Sequence, residues 1–318
     1  MLANQATGDP GWGWLPRMAA RVPRLARDLR ARRAWLPLVV FGRVLPARRL
    51  VAAVAARRPA SLPLPAIPAV GAPLAAPSVT RAVDLLRRDG LCAGLRLDPG
   101  FVAEIRRFAE SRPCEGGLDW STRFWPHEQA EVERRSGQSL VVGHFPDNER
   151  DCPAIGRFIR HPWLHAVAAG YFGRPATILD VRLWWSFPST NRSRAALMLA
   201  GQDSFHFDLT DWQELKFFFY LTDVGPRSGA HHFVRGSHAR RPLRHQLSPF
   251  SARTAPDILA AYGPEAIEVL TGPAGFGFVE DPFGFHTGAA VEEGRRLCLE
   301  VSFGITGLLR RRDYGGPG

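Results

Sequence analysis

Lysine is nearly missing from this 318-residue chain: Lys216 is the only one among 41 basic residues. A bias that strong makes the retained lysine informative, because a compact ammonium on a flexible stem is not interchangeable with a guanidinium. Cysteine is sparse as well. Cys92, Cys114, Cys152 and Cys298 show no Cys-x-x-Cys spacing. That excludes a disulfide scaffold or zinc ribbon and predicts reduced thiols in a cytoplasmic protein. No apolar run approaches the roughly 20 residues that a membrane-spanning helix needs. No internal repeat is visible, which excludes solenoid and propeller architectures. Acidic residues are scarce only at one end. Residues 1–60 hold 12 Arg against Asp9 and Asp28, a balance of +10, while the whole chain carries +11, so the rest is about neutral. A basic stretch without a recognisable nucleic-acid-binding fold, followed by a neutral domain, argues against a nucleic-acid partner.

At 45% hydrophobic and 10% aromatic residues, the chain suits one domain with a sizeable core. We expect a basic helical arm over 1–58, a Pro/Ala-rich linker over 59–77, a folded domain over 78–306 and a flexible tail over 307–318. Within the arm, Arg24–Leu36 and Ala47–Arg58 suit short basic amphipathic helices, punctuated by Pro16, Pro23, Pro37 and Pro46. Such helices are solvated, docked on the core, or, through residues 17–58, in contact with an anionic membrane surface. Export is disfavoured: Arg43, Arg48 and Arg49 interrupt the apolar run after Arg32-Arg33. Ser78 is placed to cap the first domain helix and Gly90 to end it.

The chemistry concentrates in His206-Phe207-Asp208, followed 78 residues later by His286 and ten further on by Arg296. On a strand, residues two apart share a face, so His206 and Asp208 can bind one ion while Phe207 packs behind them. Two imidazoles and one carboxylate occupy one face of a ferrous ion and leave positions open for a substrate acid and for dioxygen. The neighbourhood predicts strands. Leu215–Val224 is aromatic and β-branched and ends at Gly225-Pro226; Gly275–Val279 is followed by the turn Asp281–Gly284, then His286. Arg295–Phe303 alternates: Arg296, Cys298, Glu300 and Ser302 share one face, and Leu297, Leu299, Val301 and Phe303 the other. A strand with a polar inner face suits a barrel around a polar ligand. It also selects Arg296 over Arg295 to grip an oxo acid's distal carboxylate by a planar two-point contact. A one-residue slip in register would reverse that choice.

Eight other histidines compete for the metal, none with a carboxylate two residues away. His161 and His165 have a zinc-compatible spacing on a probable helix, but no third ligand is evident. His238 follows Gly236-Ser237 and suits a turn. Gln202 is placed to donate to the oxo acid or to sit in a loop, and Lys216 to make a charge contact beside the site or to snorkel at an edge. Trp184, Trp185 and Trp212 bracket the site as core or substrate-lining residues; only one of the adjacent pair can face inward.

From about Ser78 to Phe303 the chain resembles the phytanoyl-CoA dioxygenase family of Fe(II)- and 2-oxoglutarate-dependent oxygenases. The resemblance runs through Leu86-Arg-Arg-Asp-Gly90, Asp98–Ile105, His161–Gly173, Val181–Ser186, Phe205–Phe217, Tyr220–Val224, Val234–His238, Asp281–Gly288 and Gly294–Leu297, in the family's order. One departure is Gly229-Ala-His-His232, where the family often has Gly-Pro before the Gly-Ser-His turn. The resemblance implies a mainly β fold with flanking helices, a double-stranded β-helix (a jelly-roll, cupin-like barrel). It implies His206, Asp208 and His286 as iron ligands and Arg296 as the 2-oxoglutarate anchor; a lysine is common in the family where Lys216 stands. The implied reaction consumes dioxygen, hydroxylates a small-molecule or lipid-like substrate and releases succinate and carbon dioxide. Related halogenases carry a small residue where Asp208 stands, so its carboxylate implies oxygen insertion; desaturation or cyclisation stays open. The alternative is a non-catalytic jelly-roll that meets a membrane or partner through its basic arm. A binding module has no need of all three ligands and Arg296, which argues against it.

Overall fold

The computed structural model describes residues 36–56 and 73–306. The first 35 residues of the expected arm, most of the linker and the 307–318 tail lie outside the described residues. Local signals act where expected. The Val79–Asp89 helix begins with Ser78 Oγ accepting from Arg81 N–H at 3.2 Å and ends at Gly90, whose φ is 77°. Asp98 caps the Pro99–Glu110 helix, its Oδ1 accepting from Gly100 N–H at 2.9 Å and Phe101 N–H at 3.2 Å.

The strands are β1 (Leu74–Ala75), β2 (Leu91–Leu97), β3 (Cys114–Gly116), β4 (Thr122–Phe124), β5 (Val142–Phe145) and β6 (Thr177–Ser186) in the first part. Then come β7 (Glu214–Tyr220), β8 (His231–Val234), β9 (Ile267–Leu270), β10 (Phe276–Glu280), β11 (His286–Gly288) and β12 (Arg296–Gly304). Nine form an antiparallel sheet in the order β1-β2-β10-β7-β12-β6-β5-β3-β4; the others form a smaller one, β11-β8-β9. β1 lies inside the segment expected to be linker, its Leu74 paired with Leu97 of β2.

The alternation of β12 explains how the sheets pack. Leu297, Leu299, Val301 and Phe303 face a helical layer and join one core with Leu86, Ile105, Trp163 and Leu164. On the opposite face, Cys298 packs with Phe218, Tyr220 and Phe278 of the large sheet and with Ala230, Phe233 and Leu270 beside or within the small one. The space between the sheets is therefore lined by apolar rings, with polar residues of β12 at intervals. β7 lies between β10 and β12, and all seven of its residues are buried. Gly277 lets Phe219 pass: a Cβ there would stand 2.4 Å from the Phe219 ring.

The described part of the arm is docked. Leu38, in the Leu36–Phe41 helix, is fully buried in the helix-side core. Arg48, in the Leu45–Ala56 helix, donates to Gly42 O at 3.2 Å and stacks 3.9 Å above the Phe283 ring. Gln246 Oε1 accepts from Leu45 N–H at 2.9 Å. Apolar contact plus a buried stacked guanidinium hold this segment, which composition alone left unassigned. All four cysteines are free and buried. No helix among the described residues is long and apolar enough to cross a membrane.

Leu38→Ala should lower the unfolding free energy by about 2–5 kcal/mol, the usual range for a leucine truncated in a packed core. Urea denaturation measures it. A loss below about 0.5 kcal/mol, typical of surface changes, would show that the segment is not docked in solution.

Candidate metal centre

His206 and His286 meet through their backbones. They form an isolated antiparallel bridge, His206 N–H to His286 O at 2.9 Å and the reverse at 2.8 Å. His206 and Asp208 thus sit on a short bridged segment rather than the regular strand their spacing predicts, because the chain leaves the ladder after one pair. Asp208 is fixed instead by its N–H, which donates to Pro282 O at 2.8 Å. Phe207 points away and packs edge-on against Phe283 and Phe285, with ring centroids 5.3 and 5.6 Å apart.

One ligand atom from each of His206, Asp208 and His286 lies within 4.8 Å of the others. Both imidazoles are oriented from behind: His206 Nδ1–H donates to Ser204 O at 3.1 Å and His286 Nδ1–H to Gly284 O at 3.0 Å. A carbonyl can only accept, so these contacts assign the proton to Nδ1 and leave the Nε2 lone pairs for a metal. Burial pushes the His286 imidazole down to about 4, so it is neutral at pH 7. The donor set therefore fits a divalent cation.

Asp208 is charged, and Lys216 is the main reason. Burial alone would raise its pKa, but the Lys216 ammonium, with His286 and His206, holds it far below the usual carboxylate range. Lys216 Nζ lies 2.5 Å from Asp208 Oδ2, 3.8 Å from Glu300 Oε1 and 3.9 Å from Glu214 Oε1. Glu300 also accepts from Arg182. Burial pushes Glu214 up to about 8, against the pull of Lys216, so it is protonated at pH 7. Lys216 and Arg182 then face Asp208 and Glu300, with the partly exposed Asp180 3.9 Å from Arg182 at the edge of the cluster.

Arg296 is 5% exposed. Its Nη2 donates to Ser186 Oγ at 3.0 Å and its Nη1 to Gly229 O, while its Nε has no hydrogen-bond partner. No carboxylate pairs with it among the described residues. A buried guanidinium without a counter-charge is costly, and an acidic ligand would relieve it. It acts electrostatically on His231, whose ring stacks 5.6 Å from His286 at 21°. Arg295 instead stacks 4.5 Å over Trp185 on the outer side and reaches Glu110 at 3.7 Å.

Other expected site residues are distributed unevenly. Trp184 faces the space between the sheets and contacts Phe218 edge-on at 6.4 Å. Trp185 and Trp212 belong to the helix-side core: strand register points Trp185 to that face, and Trp212 joins it from the bend before β7. Gln202 is buried near the ligands, its Cγ close to the site where a Cβ on Gly288 would lie, at 3.6 Å. Lys216 contacts Asp208 directly. His161 caps a helix by accepting from Trp163 N–H at 3.3 Å, and His165 Nε2 bonds Ile159 O at 2.8 Å.

Sequence reasoning missed His231 and Glu280. Their side chains bond at 2.8 Å, and Glu280 Oε1 lies 3.9 Å from His286 Nδ1, so the pair backs the ligand. Burial pushes Glu280 up to about 7 and His231 down to about 3. The signal was present: Phe276, Phe278 and Glu280 alternate on one face of β10.

No family model and no curated protein matches the chain. Among solved structures it is similar to the epimerase SnoN in complex with Fe3+, alpha ketoglutarate and nogalamycin RO. The identity is 19% and the TM-score 0.50, over 71% of this chain and 82% of that one. HygX from Streptomyces hygroscopicus, with nickel and 2-oxoglutarate bound, gives 15% identity and a TM-score of 0.48, over 71% of this chain and 87% of that one. The similarity to SnoN is one of fold.

His206→Ala and His286→Ala should each abolish binding of one divalent cation per chain, measured by metal analysis after anaerobic ferrous loading. Trp185→Phe, on the outer face, should leave it unchanged. Equal metal in both histidine variants and the unmodified protein would remove the assignment.

Proposed function

We propose that this protein is an Fe(II)- and 2-oxoglutarate-dependent dioxygenase with a double-stranded β-helix of the phytanoyl-CoA dioxygenase type. The observation that carries the proposal is Arg296, a buried guanidinium without a carboxylate partner beside a cluster of two histidines and one aspartate. Unlike Arg48 and Arg241, which stack on the Phe283 ring, Arg296 is held only by Ser186 Oγ and Gly229 O, and it suits an acid that arrives with the co-substrate.

Iron, 2-oxoglutarate and dioxygen together supply oxidation of an unactivated carbon–hydrogen bond, with succinate and carbon dioxide as co-products. The chain's residues do the rest. His206, Asp208 and His286 hold the cation on one face and leave the other open. Lys216 keeps Asp208 ionised, and Arg296 with Ser186 orients the oxo acid. Phe218, Phe278 and Tyr220 exclude water behind the ligands. Trp184 is the candidate to meet a small-metabolite or lipid-like substrate. The outcome that Asp208 favours is hydroxylation, since its carboxylate would fill the place that a chloride ligand needs.

Three outcomes test this. Succinate should form from 2-oxoglutarate only with iron and dioxygen, and labelled dioxygen with chloride present should give a labelled hydroxyl and no chlorinated product. Arg296→Ala should weaken 2-oxoglutarate binding by about 2–5 kcal/mol with metal retained, and Arg295→Ala should matter much less. A chlorinated product, or Arg295→Ala as the damaging change, would overturn the reading.

A further inference from the structure

Behind the metal-ligand segments lies a second charged feature. A cleft of about 540 Å³ is lined by Arg235, Arg240, Arg241, Pro242, Ala261 and Tyr262 among others. That size suits a small molecule. The cleft is separate from the metal cluster. Arg241 stacks over Phe207, Phe283 and Phe285 at 4.1, 3.8 and 4.6 Å, so this aromatic layer stands between it and the three ligands.

Arg241 is 5% exposed, donates to Phe283 O through Nη2 and lies against the Tyr262 hydroxyl, and neither group makes a well-aligned bond to any further side chain. Arg240 lies across Gly236, whose φ of 74° only glycine adopts easily and where a Cβ would stand 2.6 Å from Arg240 Nη2. Arg235 donates to Glu265 O at 2.9 Å and faces Glu268 at 3.7 Å, a half-exposed pair that neutralises it weakly. No carboxylate pairs with Arg240 or Arg241 among the described residues. The acid that acts on Arg241 through space, Asp281, already accepts from Tyr171 at 2.7 Å.

Three guanidinium groups and a phenol line one cleft, and together they carry more positive charge and more donors than a single carboxylate satisfies. We propose that this cleft binds the phosphate group of a small phosphorylated molecule, held by Arg241 and Tyr262 from inside and by Arg240 and Arg235 at the rim. Three terminal oxygens and about two negative charges match more than one planar fork. This site does not depend on the iron chemistry, and it uses none of the metal ligands.

The test is calorimetric titration of the metal-free full chain with inorganic phosphate and pyrophosphate, against chloride at equal ionic strength. Saturable phosphate binding is expected. Arg235→Ala with Arg240→Ala, both at the rim, should weaken it roughly tenfold or more, as loss of a charge-assisted hydrogen bond does. Arg241→Met, which keeps the contact with the phenylalanines, should do the same, and Arg296→Ala should leave binding intact. The proposal falls if phosphate does not saturate, if the rim double variant binds equally well, or if Arg296→Ala is the change that removes binding.

Discussion

The backbone bridge between His206 and His286 is the constraint on which the site depends. Its two hydrogen bonds join segments 80 residues apart and set both imidazoles on the same side, with ring centroids 4.5 Å apart. Everything behind the bridge serves to keep it closed. Phe207, Phe283 and Phe285 occupy the positions that alternate with or precede the ligands and pack together. Arg48 and Arg241 lie over the same Phe283 ring, 3.9 and 3.8 Å away. Two guanidinium groups share one aromatic face system here, so the N-terminal helix is part of the back wall of the site. Its stability and that of the ligand segments are coupled.

In front of the bridge, charge is balanced group by group. The sole lysine meets Asp208; Arg182 meets Glu300; Glu214 keeps its proton. A guanidinium would not replace Lys216 easily, since three acids approach one compact ammonium within 4 Å. Arg296 stands outside this balance, buried and without a carboxylate partner among the described residues.

Legibility in the sequence followed from how local each determinant is. The β12 alternation separated Arg296 from Arg295, because period-two patterning is written in neighbouring residues. The caps at Ser78 and Gly90 were legible for the same reason. The direction of Lys216 was not, since a turn separates it from Asp208 and turns erase phase. Trp185 and Trp212 were bracketed with the site because they are near it in sequence, yet strand register turns Trp185 to the helix-side core and Trp212 joins that core from a bend. His231 and Glu280 are 49 residues apart and meet only through β8 and β10, so no local pattern pairs them. Docking of Arg48, which reaches Asp211 O 163 positions away, was invisible for that reason too.

The most direct measurement is anomalous diffraction at the iron edge from anaerobic crystals soaked with ferrous ion and 2-oxoglutarate. The account predicts one anomalous peak bonded to His206 Nε2, His286 Nε2 and an Asp208 oxygen, with the distal carboxylate of the oxo acid on the Arg296 guanidinium. Iron at any other group of residues, or an oxo acid bound away from Arg296, would contradict it.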